Sequence, residues 1–384
     1  LRLYEKREGE VVVHTIGLAN FVDFVEPPQG PAQTHSRPDP RLVANPDEYR
    51  FGPGPMSDPA ISKRVWEHLK SYTDAIGKLH AQHPERHVIA KSIMEALQQP
   101  EQELAARAAR EVEAIWYVAL QQTIGEPLAD FKTEAQEVAV EVLLPWLTAQ
   151  YDAQPAEDRD LWALKIAALA NHVTSADLLS LAGQGRAGLR AYVEGLLTTV
   201  KAKQDEPLHR DDRDQLLRDL AGDPKTVLLV TDNIIENVFH KPLERWLVAQ
   251  GHEVVIAAKA GEADIDSTVM DEQRLLGRSD VAAFLGEGMQ RLRVISTGSR
   301  ARALDPYEPT EEFVEAWETA AVILVMGEGN RGSMAHQTTK GFYSLVNVKS
   351  KLEVPDQDLP VGATVVQWIP SVPQTPVIAA AEAP

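Results

Sequence analysis

The sequence contains no cysteine. Disulfides, thiolate metal centres and a cysteine nucleophile are therefore excluded, and such a chain suits a reducing compartment, so a cytoplasmic protein is expected. No apolar run approaches the ~20 residues of a membrane span, and no charged-then-apolar signal segment opens the chain, so a membrane partner is not expected. Basic residues are scarce: 38 Lys and Arg stand against 57 Asp and Glu, a formal charge of −19. Without a Lys/Arg stripe, that balance argues against nucleic acid or anionic lipid as the main partner. An anionic small molecule can bind only where a cation or a local group of Lys and Arg reverses the field. Also missing are the Lys-Ser/Thr of a P-loop, the spacing of a dinucleotide fingerprint and a Gly-x-Ser-x-Gly elbow, which leaves nicotinamide binding and an α/β-hydrolase triad without support.

What remains is 384 residues, 44% hydrophobic and 25% charged, enough for two cores or for one core with a large helical annex. The rhythm of the chain divides it. Residues 1–60 hold a β-like run, Glu10 to Ile16, and a Pro-rich stretch from Pro27 to Pro59, and read as an irregular arm. Over 61–222 apolar residues recur at three and four spacing, as in Val65, Leu69, Tyr72 and Ile76, with breaks near Pro84, Pro100, Pro127, Pro155 and Pro207. That pattern predicts roughly six to eight helices forming an all-helical cap domain. Over 223–370 strand, turn and helix alternate through TVLLVTD, EVVIAAK, RVISTGS, AVILVMGEGN and ATVVQWI, which predicts an α/β domain with a Rossmann-like, mostly parallel sheet and helices on both faces. Residues 371–384 read as a flexible tail.

The stretch Thr226 to Glu236, TVLLVTDNIIE, runs an apolar strand into Asp232 and Asn233 at the carboxyl edge of the sheet, where open α/β sheets bind ligands. TGS and GEGN end two further strands with glycine or polar residues. Asp266, in DIDSTVMDE, follows the second strand by a short interval and should reach the same rim. Oxygen-only donors of this kind suit Mg²⁺ or Mn²⁺, ions that bridge carboxylates to a substrate phosphate. Taken singly, each Asp would serve equally as a helix N-cap. Asn171 ends the apolar helix LWALKIAALAN, either as a cap or as an amide aimed at a substrate. His80, His83 and His87 straddle Pro84 without an HExxH spacing and read as loop histidines.

VTDNIIENVFHKPLERWLVAQGHEV resembles the opening of the metal-dependent damage-control phosphatase family, also catalogued as domain of unknown function 89, with its DNxGE element. In order along the chain, LKIAALANHV is similar to that family's A-x-x-G-N-x-I-D helix, DIDSTVMDE to its N-D-x-T-x-x-D element, ISTGS to its strand ending in S-G-S, AVILVMGEGN to its strand ending in G-x-G-N, and LVNVKS to its L-x-V-K-C element. The resemblance covers about 161 to 368. It implies that Asp232, Asn233 and Asp266 ligate a divalent ion (Mn, Mg, Co or Ni), with Glu236 beside it as support or proton acceptor. It further implies that Lys349, Asn330, Asn171 and Ser299 meet the phosphate or substrate. The implied reaction removes phosphate from a small phosphometabolite of sugar-phosphate or pantetheine-phosphate type. The sequence departs from the family pattern at Ile235, where Gly is usual, at Thr174 and His240, where acids are common, and in Asn330-Arg331-Gly332, which lacks the frequent acid. Arg331 and His240 are thus candidate new substrate contacts, the alternative for both being a solvated surface position. Two competing readings are an S-adenosylmethionine-dependent carboxyl methyltransferase and a non-catalytic metal- or phosphate-binding protein.

Overall fold

Proline placement and apolar spacing shape the first half of the chain. The computed structural model describes residues 2–7, 10–15, 38–46, 49, 55–98, 109–350 and 359–373; Pro100, much of the Pro-rich arm and most of the tail lie outside them. Strands β1 (Arg2–Arg7) and β2 (Glu10–Thr15) pair antiparallel. Seven helices follow among the described residues: α1 (Pro59–Leu79), α2 (Pro84–Leu97), α3 (Ala109–Ile124), α4 (Ala129–Ala153), α5 (Arg159–Leu169), α6 (Ser175–Ser180) and α7 (Gly185–Lys203). Asp58 caps α1 by accepting the N–H groups of Ala60 and Ile61, and Pro84 opens α2 where its missing N–H costs nothing.

A short strand β3 (Arg210–Asp211) and helix α8 (Arg213–Leu220) lead into the alternating part: β4 (Thr226–Val230), α9 (Glu236–Ala249), β5 (Glu253–Ala258), α10 (Val269–Leu276), α11 (Ser279–Leu285), β6 (Leu292–Ser296), α12 (Glu311–Thr319), β7 (Val322–Met326), α13 (Glu328–Met334), β8 (Phe342–Asn347) and β9 (Thr364–Ile369). The seven strands β3 to β9 form one sheet in the order β3-β9-β8-β7-β4-β5-β6, parallel at every pairing except β8 with β9. The mostly parallel α/β sheet is therefore present, with two strands, β3 and β8, that the apolar-run reading did not mark. Helix α9 begins at Glu236, close behind β4, and carries Pro242 inside it.

Alternate residues of β4 divide between two cores. Val227 and Leu229 face the core built with α1 to α11, and Leu228 and Val230 face Phe313 and Trp317 of α12 together with Leu42 and Tyr49 of the N-terminal segment. The first core is continuous from α5 (Leu164, Ile166) to α9 (Leu243, Leu247). That core crosses the expected border near residue 222, and β3, from before the border, is an edge strand of the sheet. The segment around Val43 has no helix or strand of its own but packs on the sheet domain: Val43 forms an isolated bridge with Thr338, and Arg41 pairs with Glu311 at 2.6 Å. Among the described residues no helix is long and apolar enough to cross a membrane.

The sheet order places one crevice. From β4 the chain steps outward through β5 to β6, then returns to the other side of β4 as β7. Connections leaving the carboxyl ends of β4 and β7 therefore diverge, which is the switch-point geometry that opens a ligand site in such sheets.

Candidate active site

Asp232 and Asn233 leave the end of β4 at this crevice, and the loop after β5 is zipped against them. Ser267 N donates to Asp232 O at 2.7 Å, Ile234 N donates to Ile265 O at 3.1 Å, and Asn233 and Asp266 form an antiparallel bridge. This backbone pairing sets the Asp266 side chain beside Asp232. The bend before it needs a left-handed residue, and Asp264 takes φ 60° there. The helical half clamps the same loop. Lys132 Nζ of α4 donates to the Asp266 carbonyl at 2.7 Å and pairs with Asp271 at 3.0 Å, while Tyr72 of α1 donates to Glu262.

On the opposite wall, Gly327 at the end of β7 has φ +85°, and a Cβ there would overlap the Asp232 carboxylate, coming within 2.7 Å of Oδ1 and closer to Oδ2. The close approach of the two strand ends needs glycine for both reasons.

The floor of the site is a set of buried oxygens. Asn233 Nδ2 donates to Glu236 Oε1 at 2.5 Å and Asp232 Oδ2 at 3.2 Å. Asn171 Nδ2, from the turn ending α5, donates to Glu236 Oε2 at 3.2 Å and lies 3.4 Å from Asp232 Oδ2. Burial raises the pKa of Asp232 against the pull of Lys349 and Lys259. Burial, then the Asp232 charge, raises Glu236 well above its usual range and Asp266 to about 8. Lys259 Nζ stands 3.5 Å from Asp266 Oδ2, which has no hydrogen bond.

This donor set fits a hard divalent ion: two buried carboxylates held side by side, one with an orphan oxygen, next to an amide whose nitrogen is already committed to Glu236. Among the described residues no group of three His, Cys, Asp or Glu forms a ready cage. A two-carboxylate set is the kind that completes its shell with water and substrate oxygens, as Mg²⁺ sites do.

Above this floor opens a cavity of about 620 Å³ whose lining includes Asp232, Asn233, Asp266 and Lys349. Lys349 is positioned by Glu328, which accepts the backbone N–H groups of Lys349 and Ser350, and its Nζ donates to Val173 O at 2.8 Å. Three guanidiniums share the lining, Arg64 of α1, Arg110 of α3 and Arg302 of the loop after β6. In a chain of formal charge −19 this is the local reversal of field that an anionic ligand needs. These arginines, Glu328 and Lys259 were missed in the sequence. Lys259, a lysine closing an apolar strand, and Glu328, within GEGN, carry a local signal; the arginines carry none. His68 also lines the cavity; burial, helped by the neighbouring guanidiniums, holds its pKa well below the usual value, so it stays neutral, and its Nε2 meets Tyr117 Oη at 2.6 Å.

Five expected substrate contacts, Asn330, Ser299, His240, Arg331 and Asn171, are not among the residues lining the cavity. Asn330 is fully buried, accepting from Lys259 at 3.0 Å and donating to the carbonyls of Thr231 and Met326, so it ties β4 to β7 beneath the site. Ser299 is buried with its hydroxyl donating to the Ala303 carbonyl at 2.6 Å. His240, on α9, is buried rather than at the surface, and burial lowers its pKa to about 3. Arg331 is buried too and donates to Gln367 at 3.0 Å. Asn171 touches the carboxylates of the floor. Of the His80 group, His80 binds the Pro127 carbonyl at 2.7 Å and His83 pairs with Glu85 at the surface.

A family model for the damage-control phosphatase ARMT1-like domain matches residues 59–365. Damage-control phosphatase PH1575 of Pyrococcus horikoshii is 29% identical over 174 residues, 45% of this chain and 56% of that protein. An uncharacterized protein of Methanocaldococcus jannaschii, MJ0202, is 24% identical over 159 residues, 40% of this chain and 49% of that protein. The chain thus spans about half the length of the curated relatives it matches. The crystal structure of a DUF89 family protein from Pyrococcus horikoshii superposes with a TM-score of 0.59 at 21% identity, covering 79% of this chain and 97% of that one, a likeness of fold. With the match running across both the helical half and the sheet, the chain belongs to the damage-control phosphatase ARMT1-like domain family.

Proposed function

We propose that this chain is a divalent-metal-dependent phosphatase acting on a small phosphorylated metabolite of sugar-phosphate or pantetheine-phosphate type. The observation that carries the reading is the pair of buried carboxylates, Asp232 and Asp266, zipped together at the switch point beneath a cavity lined by Lys349 and three arginines. Asp232, Asn233 and Asp266 would hold a divalent ion, which would supply Lewis acidity toward the phosphate. Glu236 and Asn171 fix the orientation of the Asn233 amide and the Asp232 carboxylate. Lys349 places a cation where negative charge gathers as the ester bond breaks, the kind of preorganised stabilisation that dominates phosphoryl transfer. The helices within residues 61–222 act as a cap that closes the cavity over the strand ends of residues 223–370 and keeps bulk water from the reacting phosphate.

The test is phosphate release from a panel of phosphometabolites with Mn²⁺, Mg²⁺, Co²⁺ or Ni²⁺, beside the Asp232→Ala variant. Turnover that needs a metal and is lost in the variant supports the reading. No turnover with any metal would sink it, and binding of S-adenosylmethionine without metal would put the methyltransferase reading in its place.

A further inference from the structure

We infer that the substrate carries a second acidic group, seated against Arg64, Arg110 and Arg302 while its phosphate lies over Asp232 and Asp266. The inference rests on the phosphatase reading above and narrows its substrate class to sugar bisphosphates and phosphorylated sugar acids. Its ground is the chemistry of the wall facing the carboxylates. A guanidinium donates hydrogen bonds and accepts none, so a wall built from three of them recognises an acceptor, and a planar oxyanion best of all. Sugar hydroxyls would instead call for carboxylates turned toward the cavity. Of the lining acids outside the metal floor, Glu328 is turned to the backbone N–H groups of Lys349 and Ser350, and two carboxylates behind the lining are turned to the arginines: Glu113 binds Arg110 at 2.6 Å and lies 3.8 Å from Arg302, and Asp264 lies 3.9 Å from Arg302. Both are buried and fix where the guanidiniums stand. Glu67, the acid at the mouth, is exposed and pairs with Lys63 at 3.8 Å.

The arginines come from three separate elements, and the fold spends particular contacts on bringing them together. Arg64 Nη1 donates to Ser350 Oγ at 3.1 Å, joining α1 to the loop that carries Lys349. A Cβ at Gly329 would stand 2.8 Å from the Arg302 carbonyl and 3.7 Å from Arg110 Nη2, so a glycine lets both approach the start of α13. Two residues, at most about 7 Å of chain, separate that point from Gly327, which abuts Asp232. Lys349 and a divalent ion suffice to meet one phosphate monoester. The guanidiniums are cations beyond that need, at a spacing that one small molecule with acids at both ends can bridge within a 620 Å³ cavity.

The experiment uses matched pairs: 6-phosphogluconate against glucose 6-phosphate, and fructose 1,6-bisphosphate against fructose 6-phosphate. Both kcat/KM for phosphate release with Mn²⁺ and affinity by calorimetry are measured on the wild type and on Arg64→Gln, a half-buried position where the change leaves the core intact. The expected result is a preference of about tenfold or more for the diacid of at least one pair, the size of one charge-assisted hydrogen bond, shrinking to within about threefold in Arg64→Gln. Preference for the sugar acid alone identifies a carboxylate as the second group, and preference for the bisphosphate alone a phosphate. Equal use of both members of each pair, or a preference untouched by Arg64→Gln, overturns the inference while leaving phosphatase activity standing. Absence of phosphate release with a calorimetric preference intact removes the phosphatase reading and keeps the diacid site.

Discussion

Replacing Gly327 by alanine separates backbone strain from damage to the site. The residue sits at φ +85°, where a side chain costs about 1–2 kcal/mol, and its Cβ would fall on the Asp232 carboxylate. That overlap can be relieved only by moving the carboxylate or the end of β7 by about an ångström, and a shift of that size in a reacting constellation costs on the order of 10²-fold in rate. Gly362→Ala is the control. Gly362 has φ +90° with nothing within 4 Å of the added carbon, so it bears the strain alone. Urea denaturation should show a loss of about 1–2 kcal/mol for Gly362→Ala and at least as much for Gly327→Ala. Phosphate release at saturating Mn²⁺ should be near wild type for the control and lower by roughly 10²-fold for Gly327→Ala. Activities of the two variants within threefold of one another would refute the claim that β7 and Asp232 are packed in register around a reacting centre.

Burial raises the Asp305 pKa to about 7, so the native state holds its proton above the ordinary range. A raised carboxyl contributes its stability fully below about pH 4 and loses it as pH climbs to about 7, so Asp305→Asn should gain on wild type by about 3 kcal/mol between pH 5 and pH 8, read from urea midpoints; a pH-independent difference would contradict this. Lys132→Met removes the clamp on the Asp266 loop and leaves Asp271 without that partner. It should cost about 3–5 kcal/mol and weaken Mn²⁺ binding in calorimetry, and unchanged metal affinity would show that the clamp does not position the ligand. Lys349→Met should lower kcat by about 10² to 10³ with little change in the denaturation midpoint, whereas a loss confined to KM would assign Lys349 to binding alone. Mn²⁺ at 100 times its Kd should stabilise the wild type by about 2.7 kcal/mol and leave Asp232→Ala unmoved in thermal melts.

The sheet was legible because β4, β5 and β7 are continuous apolar runs, as strands buried on both faces must be. Strand β8 was not, since FYSLVN carries Ser344 in its middle and its burial depends on neighbours brought in from elsewhere. Strand β3 is only two residues long and exposed. Asp232, Asn233 and Asp266 could be picked out because each follows an apolar strand closely, and the fold does bring them together, through a backbone zipper that no local pattern encodes. Asn330, Ser299 and His240 carry the same kind of local signal, yet Asn330 bonds Lys259 and two main-chain carbonyls, Ser299 bonds a main-chain carbonyl and His240 sits in the core, and only tertiary packing decides that. The arginines failed for the opposite reason. On α1 and α3 a polar residue between apolar positions reads as a solvated face, and nothing near Arg64 in sequence announces that Arg302 will line the same cavity.

Phosphate release should depend on a divalent ion held by Asp232 and Asp266, and titrating Mn²⁺ into wild type and Asp266→Ala while phosphate release from one turned-over sugar phosphate is followed puts that dependence to the test. The wild type should rise from no activity to saturation, and the variant should stay flat across the titration. Turnover that persists in chelator, or a variant that follows the wild-type curve, would contradict the account.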